Sequence, residues 1–360
     1  MKKVTIYDIA LKTGYSVGTV NRALSGKTRI SPKTKQLILS TADELGYKVN
    51  AAAQALRRNP INLAAILFCP VEEYVDSIID GILSAADDLD KYNVSIDIQK
   101  INYTTGKECI TKTIEMINIF SDKKYDGIIL FMSSMIDELQ ELSSLIKDLT
   151  EKNIYFATVA NDIPDSNRVA YVGIDAFMAG SMAAELLEMQ CAKKDVALLV
   201  TSTTSPINTE YIKGFLNYSQ NNVFSNVKIY EHFDDKEKAI DVINLMLNEN
   251  KNLKGVYMAT ASSGAACEHL EKLNKKDLTI ITTDLLKETS GLLERKTASA
   301  TIFQNPYRQG KMVVKLLYNF ITKKECPEKY LLTPHILLKS NINDYISNIY
   351  DEHLRSNKKL

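Results

Sequence analysis

The stretches Thr5-Ile6-Tyr7-Asp8-Ile9-Ala10, Ser16-Val17-Gly18-Thr19-Val20-Asn21-Arg22-Ala23-Leu24 and Ile30-Ser31-Pro32-Lys33-Thr34 read as the beginnings of three short helices. Thr5 suits an N-cap, and Asp8 stands three residues on, as in a capping box. Ile6, Ile9 and Ala10 then form an apolar face at helical spacing, and Gly14 stops the helix. Ser16 caps a second helix over 17–24 with Val20, Ala23 and Leu24 inward, and Gly26 ends it. Ser31 caps a third, with Pro32 at the first helical position, where its missing N–H costs nothing. Leu37, Leu39, Ala42 and Leu45 supply that helix with apolar positions, and Gly46 is its C-terminal stop.

Charge singles out the same segment. Residues 1–60 hold eleven Lys/Arg and three acids, or +8, so the remaining 300 residues of this formally neutral chain carry −8. A basic head on an acidic body suggests a polyanion partner for the head. Two short helices joined by a glycine-containing turn within it describe a helix-turn-helix, whose second helix enters the major groove. Val17, Gly18, Asn21 and Arg22 then meet base edges. Arg22 can bond guanine O6/N7 in bidentate fashion, and Val17 can touch a thymine methyl. Ser16, Thr19, Lys27, Thr28, Arg29 and Lys35 are placed for phosphates, which set register rather than sequence. With Thr5 at the start of the first helix, the candidate DNA-binding set in the head is Thr5, Ser16, Val17, Gly18, Thr19, Asn21, Arg22, Lys27 and Arg29. The alternative is a small helical bundle with a solvated basic face.

Val49-Asn50-Ala51-Ala52-Ala53-Gln54-Ala55-Leu56-Arg57-Arg58 is a separate signal. Asn50 can cap a short Ala-rich helix, which is unstable alone in water. Two copies side by side in a minor groove could approach closely at alanines such as Ala53 and wedge Leu56 between base steps. An Ala-rich linker is the other reading.

From residue 62 strand and helix alternate. Apolar or alternating runs at 63–68, 94–98, 127–131, 154–159, 170–174, 196–201, 227–230, 255–258, 278–281, 298–303 and 331–338 are separated by amphipathic segments, such as 75–91, 176–190 and 306–322. Alternation of this kind implies parallel sheets covered by helices on both faces. About 280 residues is long for one doubly wound domain, so two lobes are expected. The fold class is α/β: a helix-turn-helix headpiece plus a two-lobed, doubly wound parallel-sheet domain. Ligands in such sheets bind outside the strand C-termini. There the sequence places many hydroxyls and amides and few charges, as polyhydroxylated ligands require. Glu72, Tyr74, Ser133, Asp162, Thr260, Asp284 and Gln304 are the candidates, with Tyr74 an aromatic wall. Turns are in any case rich in Asp, Asn, Ser and Thr.

Other chemistries lack their motifs. The sequence has no G-x-x-x-x-G-K-[ST] and no G-x-G-x-x-G. Five cysteines and four histidines are scattered, without C-x-x-C or metal spacing. No cofactor, no metal site and no enzymatic activity are expected. No apolar run approaches the ~20 residues that span a bilayer, and a cytoplasmic location without membrane contact is expected.

The three helical motifs, together with Glu44-Leu45-Gly46-Tyr47, resemble the headpiece of the lactose repressor/galactose repressor family over about 58 residues. The resemblance implies base reading by Val17, Gly18 and Arg22 and intercalation by Leu56. Tyr15 stands where that family usually has Val, and Val49 where it usually has Pro. The body resembles the periplasmic-binding-protein-like fold of type I found in the same family, nearest the ribose-type branch. Tyr125-Asp126-Gly127-Ile128-Ile129, Tyr171-Val172-Gly173-Ile174-Asp175, Lys213-Gly214-Phe215 and Ala300-Thr301-Ile302-Phe303-Gln304-Asn305-Pro306, then Gly310, carry it. That resemblance implies that Asp284 and Gln304 bond sugar hydroxyls. An Arg usual before the Gly-Phe pair is absent, with Thr209, Glu210 and Tyr211 in its place, so Tyr211 joins the candidate effector set. Ala259-Thr260-Ala261 replaces an expected Asn-Asp, and Asp162, Ser166 and Arg168 form a subgroup pattern.

The expected organisation is a headpiece at 1–48, a hinge and linker at 49–61, an effector and dimerisation domain at 62–340 and a tail at 341–360. Within the domain, lobe 1 is expected at 62–161 plus 305–326 and lobe 2 at 162–304 plus 327–340. The expected function is a homodimeric transcriptional repressor on palindromic operator DNA, released by a small effector, a monosaccharide or related polyol. A corepressor-driven regulator of the same architecture and a ligand-binding protein without a regulatory role are the alternatives.

Overall fold

The computed structural model describes residues 4–24, 30–47, 59–68, 71–102, 106–132, 140–233, 235–261 and 263–346. The main division of the chain into compact units falls between Asn59 and Pro60.

The first unit holds helices α1 (Ile6–Thr13), α2 (Val17–Leu24) and α3 (Pro32–Glu44). Their ends are fixed by the side chains that the sequence pointed to. The Asp8 carboxylate accepts the Thr5 N–H and hydroxyl at 2.7 Å each. Ser16 accepts from the Thr19 N–H, and Ser31 from the Thr34 N–H. Gly14 and Gly46 take left-handed φ values of 72° and 66°, a backbone state open to glycine at no steric cost. Ile9, Val20, Ala23, Ile38 and Ala42 form the core. In α3 the inward face is therefore Ile38, Thr41 and Ala42, not the expected Leu37 and Leu39, which are 48% and 42% exposed. The helical period decides this: Ile38 shares a face with Thr41 and Ala42, whereas Leu37 and Leu39 flank it on the cylinder.

The second unit contains two six-stranded sheets. The first is built from β1 (Ile61–Leu67), β2 (Val94–Lys100), β3 (Gly127–Phe131), β4 (Tyr155–Val159) and β5 (Ala170–Ile174), with helices α4 (Glu72–Leu89), α5 (Gly106–Asp122) and α6 (Gln140–Glu151) between them. The second is built from β6 (Asp195–Val200), β7 (Asn226–Glu231), β8 (Leu253–Ala259), β9 (Thr279–Thr283) and β10 (Ala300–Phe303). Its helices are α7 (Ala176–Cys191), α8 (Pro206–Tyr218), α9 (Lys236–Glu249), α10 (Gly264–Lys272) and α11 (Lys287–Glu294). Helix α12 (Pro306–Lys323) then precedes β11 (Lys329–Leu332) and β12 (His335–Leu337). The strand orders are β2-β1-β3-β4-β5-β11 and β7-β6-β8-β9-β10-β12. The pairs are parallel except β10 with β12. Central strands such as β3 are buried at every position, because helices cover both faces.

The lobes divide differently from the sequence expectation. Strand β5 pairs with β4, so lobe 1 continues to Ile174 rather than ending at 161. The expected single strand over 331–338 is two: β11 joins β5 in lobe 1, and β12 joins β10 in lobe 2. Pro334 separates them and has no N–H for a sheet ladder. The chain thus passes between lobes after β5, after β10 and after β11.

Each lobe also has one helix pair in near backbone contact. A Cβ on Gly310 of α12 would overlap the Ile78 carbonyl of α4, and one on Gly81 would overlap the Tyr307 carbonyl. In lobe 2, Gly180 of α7 and Gly214 of α8 stand in the same relation to Tyr211 and Phe177 carbonyls. The obstacle is backbone, which cannot rotate away, so Gly310→Ala is expected to destabilise the body by about 1–3 kcal/mol. Urea unfolding of wild type and variant measures it; an unchanged midpoint would show that α4 and α12 separate freely.

Candidate DNA interface and effector cleft

In the head, α2 presents one polar strip. Ser16, Gly18 and Arg22 are exposed, and Val17, Thr19 and Asn21 are half-buried. Side chains of a helix lean toward its N-terminus. Arg22 does so: its Nε donates to the Gly18 carbonyl at 3.2 Å and its Nη2 to the Thr19 hydroxyl at 3.4 Å. The Thr19 and Ser16 hydroxyls are 3.0 Å apart. The guanidinium is therefore held at the end of α2 that a groove-reading helix points at bases. Thr5 is exposed at the start of α1. Lys27, Arg29, Asn50, Ala53 and Leu56 lie outside the described residues, as does Ser133 of the effector set.

In the body, the order of each sheet reverses at its first strand, between β1 and β3 and between β6 and β8. Crevices open at such points beyond the strand C-termini. Asp284 follows β9, is 1% exposed and has a left-handed φ of 68°. Its Oδ1 accepts the Gln304 N–H at 3.2 Å and its Oδ2 the Gln304 Nε2 at 2.7 Å. The Gln309 amide donates to the Gln304 carbonyl at 2.9 Å, fixing the turn after β10. Asp284 and Gln304 are thus brought together. Burial raises the Asp284 pKa from its ordinary 3.8 to about 7, because desolvation of the charged form outweighs the two bonds from Gln304.

Tyr211 is buried on α8, and its ring meets Tyr257 edge-on at 6.2 Å. Its hydroxyl has no hydrogen-bond partner. Burial pushes its pKa well up, and Tyr257, Asp284, Tyr74 and Tyr171 add to the rise in that order. Of these groups, Tyr74 and Tyr171 come from lobe 1, and Tyr211, Tyr257 and Asp284 from lobe 2. Tyr74 also packs on Phe131 at 6.0 Å. Thr260 is buried after β8, and Glu72 is exposed in the first turn of α4.

Two cavities adjoin the cluster. One, of about 420 Å³, is lined by Asp284, Leu286 and Phe303 of lobe 2 and by Glu73, Asp76 and Asp80 of α4. The other, of about 390 Å³, reaches Asp162 and Tyr171 on one side and Ile207 and Thr209 on the other.

Asp162 lines the second cavity and is also bonded within its own loop. Its carboxylate accepts from Arg168 Nε and, at 2.6 Å, from Arg168 Nη2. The Ile163 N–H at 2.8 Å and the Thr158 hydroxyl at 3.2 Å complete its shell. A buried charge needs such compensation, so Asp162 holds Arg168 and the loop after β4. Sequence reasoning missed Tyr171 and Tyr257 as neighbours of Tyr211. Both sit inside apolar strands, where a tyrosine reads as core; Tyr257 does pack in the lobe-2 core on Phe215 at 6.2 Å, and Tyr171 lines the second cavity.

The description "Bacterial regulatory proteins, lacI family" matches residues 5–50, and "Periplasmic binding protein domain" matches residues 64–325. The chain belongs to the lacI family of bacterial regulatory proteins. It is 24% identical over 345 residues to "Catabolite control protein A" of Priestia megaterium, covering 92% of this chain and 97% of that one. It is 24% identical over 340 residues to the "HTH-type transcriptional regulator pepR1" of Lactobacillus delbrueckii subsp. lactis, covering 93% and 96%. The fold of the body matches the crystal structure of GanP, a glucose-galactose binding protein from Geobacillus stearothermophilus, with a TM-score of 0.68 and 24% identity over 79% of this chain and 99% of GanP. The head is thus a lacI-type DNA-binding domain, and the chain a DNA-binding transcriptional regulator. Among the described residues, no helix is long and apolar enough to cross a membrane.

In this lacI-family protein the Asp284 carboxyl gives a pH signature. Its folded pKa is raised, so between pH 4 and 7 the folded state holds a proton that the unfolded chain has lost. Stability is full below about pH 4 and falls as pH rises to about 7, by up to about 4 kcal/mol for a rise from 3.8 to about 7. Asp284→Asn is expected to remove this dependence. Denaturant unfolding of the ligand-free protein at pH 4.5 and 7.5 tests it; parallel losses in wild type and variant would place the titration elsewhere.

Proposed function

We propose that this regulator is a cytoplasmic homodimer that represses transcription and is released from its operator by a monosaccharide or related polyol. The observation that carries the reading is the joining, in one chain, of a head with Arg22 held at the reading end of α2 and a two-lobed body whose cleft gathers Asp284, Gln304 and Tyr211. The likeness of the body to a glucose-galactose binding protein supports the choice of ligand class.

A dimer places two α2 helices on the half-sites of a palindrome. Val17, Gly18, Asn21 and Arg22 read bases, while Thr5, Ser16, Thr19, Lys27 and Arg29 set register on phosphates. Asn50, Ala53 and Leu56 act at the minor groove between the half-sites. In the body, Asp284 and Gln304 bond ligand hydroxyls, and Glu72, Ser133 and Thr260 are the further candidate contacts. Tyr74 stacks on the sugar's C–H face. Ligand binding changes how the lobes meet, and the coupling is reciprocal: an effector that weakens operator binding is itself held more weakly by the DNA complex. The protein turns over no substrate in this reading.

Arg22→Ala is expected to lower the preference for operator over unrelated duplex by about 1–3 kcal/mol. Fluorescence anisotropy on a duplex recovered by selection from random sequences measures this ratio, and an unchanged ratio removes Arg22 as a base reader. Asp284→Ala is expected to abolish release by the effector while leaving operator affinity intact. Retained release would move the effector site away from this cleft.

A further inference from the structure

The natural anion seats of a parallel α/β sheet are the helix N-termini at its carboxyl edge, where free N–H groups point outward. In the body of this protein those seats hold the chain's own carboxylates. Glu73 of α4 reaches across to lobe 2 and accepts the Lys287 N–H, at the first residue of α11, at 3.1 and 3.2 Å. The Glu288 carboxylate lies where a Cβ on Gly264, the first residue of α10, would be. Glu231 accepts the Thr203 hydroxyl at 2.7 Å, and also the Thr203 N–H, in the loop that leads to α8.

Cations are few at the same edge, where Lys287 opens α11 and Arg308 lies in the first turn of α12. The segments that follow the strands, 68–74, 101–105, 132–139, 201–205, 232–235, 260–263, 284–286 and 304–305, contain no Lys or Arg. Arg168, after β4, is held by Asp162. Lys100, the last residue of β2, is paired with Asp76 at 2.8 Å. Around the two cavities, carboxylates outnumber ammonium groups: Glu73, Asp76, Asp80 and Asp284 against Lys287 in one, and Asp162, Asp175 and Glu210 against Lys213 and Lys329 in the other. Lys213 is itself paired with Glu210 at 2.7 Å.

Several buried hydroxyls remain uncommitted. The hydroxyls of Tyr211, Ser205 and Ser263 are buried without partners. Ser205 and Ser263 occupy the N-cap positions of α8 and α10 without making the cap bond, beyond the paired strands β6 and β8. Buried hydroxyls left unpaired destabilise a fold, and a ligand that pairs them recovers that loss.

We infer that the effector carries no phosphate or carboxylate, and that this cleft selects an uncharged polyhydroxyl molecule over its phosphate ester or sugar acid. The inference rests on reading the cleft as the effector site. An anion entering here meets more carboxylates than ammonium groups, and burying an unpaired charge costs far more than burying a paired hydroxyl.

The test uses the full-length protein, with thermal shift and titration calorimetry. D-glucose, D-galactose, D-arabinose and D-ribose are each compared with the terminal phosphate ester and the corresponding sugar acid. The expected result is that a neutral sugar raises the melting temperature and binds at least about tenfold tighter than its charged counterparts. A phosphate ester or acid that binds as tightly as its neutral parent overturns the inference. Tyr211→Phe is expected to weaken the neutral sugar while leaving the melting temperature of the free protein unchanged or raised; a fall would show that the hydroxyl serves the fold and overturn its role toward a ligand. If no sugar binds, the sugar reading fails, and inorganic phosphate and sulfate decide the question of charge. At equal ionic strength they should match chloride in melting temperature, and a rise above chloride overturns the inference.

Discussion

Parallel strands buried on both faces are the constraint on which the body depends. Every backbone group inside such a sheet is bonded, and the side chains above and below it must be apolar because helices cover both faces. Polar side chains are therefore driven to the carboxyl edge, where the strands end. Asp284, Gln304, Thr260 and Ser205 all follow strand ends in this way. Because two sheets of the same strand order are linked by three chain passages, the cluster at the cleft draws on both edges. The cleft is thus a consequence of how the sheets are buried.

The same constraint explains the cost held in the cleft. Burial raises the Asp284 pKa to about 7, and three hydroxyls lie unpaired. The carboxylates of the second cavity are bonded within the chain: Asp162 has Arg168 and two further donors, and the N-cap Asp175 accepts the Met178 N–H at 2.9 Å. The unpaired hydroxyls of Tyr211, Ser205 and Ser263 are open to a ligand that completes them.

The head is stabilised differently. Its five-residue core is small, and its helices are too short to persist alone. Side-chain caps at Asp8, Ser16 and Ser31 and left-handed glycines at 14 and 46 define where each helix begins and ends. These are local interactions between residues three or four apart, so they are written in the sequence. The exposed face of α2 is then free of packing duties, and Arg22 can lie along it.

By itself the sequence determined the three helices of the head, the alternation of strand and helix, the +8 and −8 division of charge, and the candidacy of Asp284 and Gln304. Each depends on local spacing: caps, the 3.6 and 2.0 periods, and turns after strands. Tertiary structure alone decided which lobe β5 and the two strands around Pro334 join, because a strand's partner is set by pairing between distant residues. It placed Ile38 rather than Leu37 or Leu39 in the head core, a choice made by the neighbouring helices. It gave Asp162 to Arg168 and brought Tyr74, Tyr171, Tyr211 and Tyr257 together across almost 200 residues of chain. It also set Glu73 on the N-terminus of α11, more than 200 residues away. Charge and spacing along a chain are legible from sequence; which groups neutralise one another is known only once the two sheets are in place.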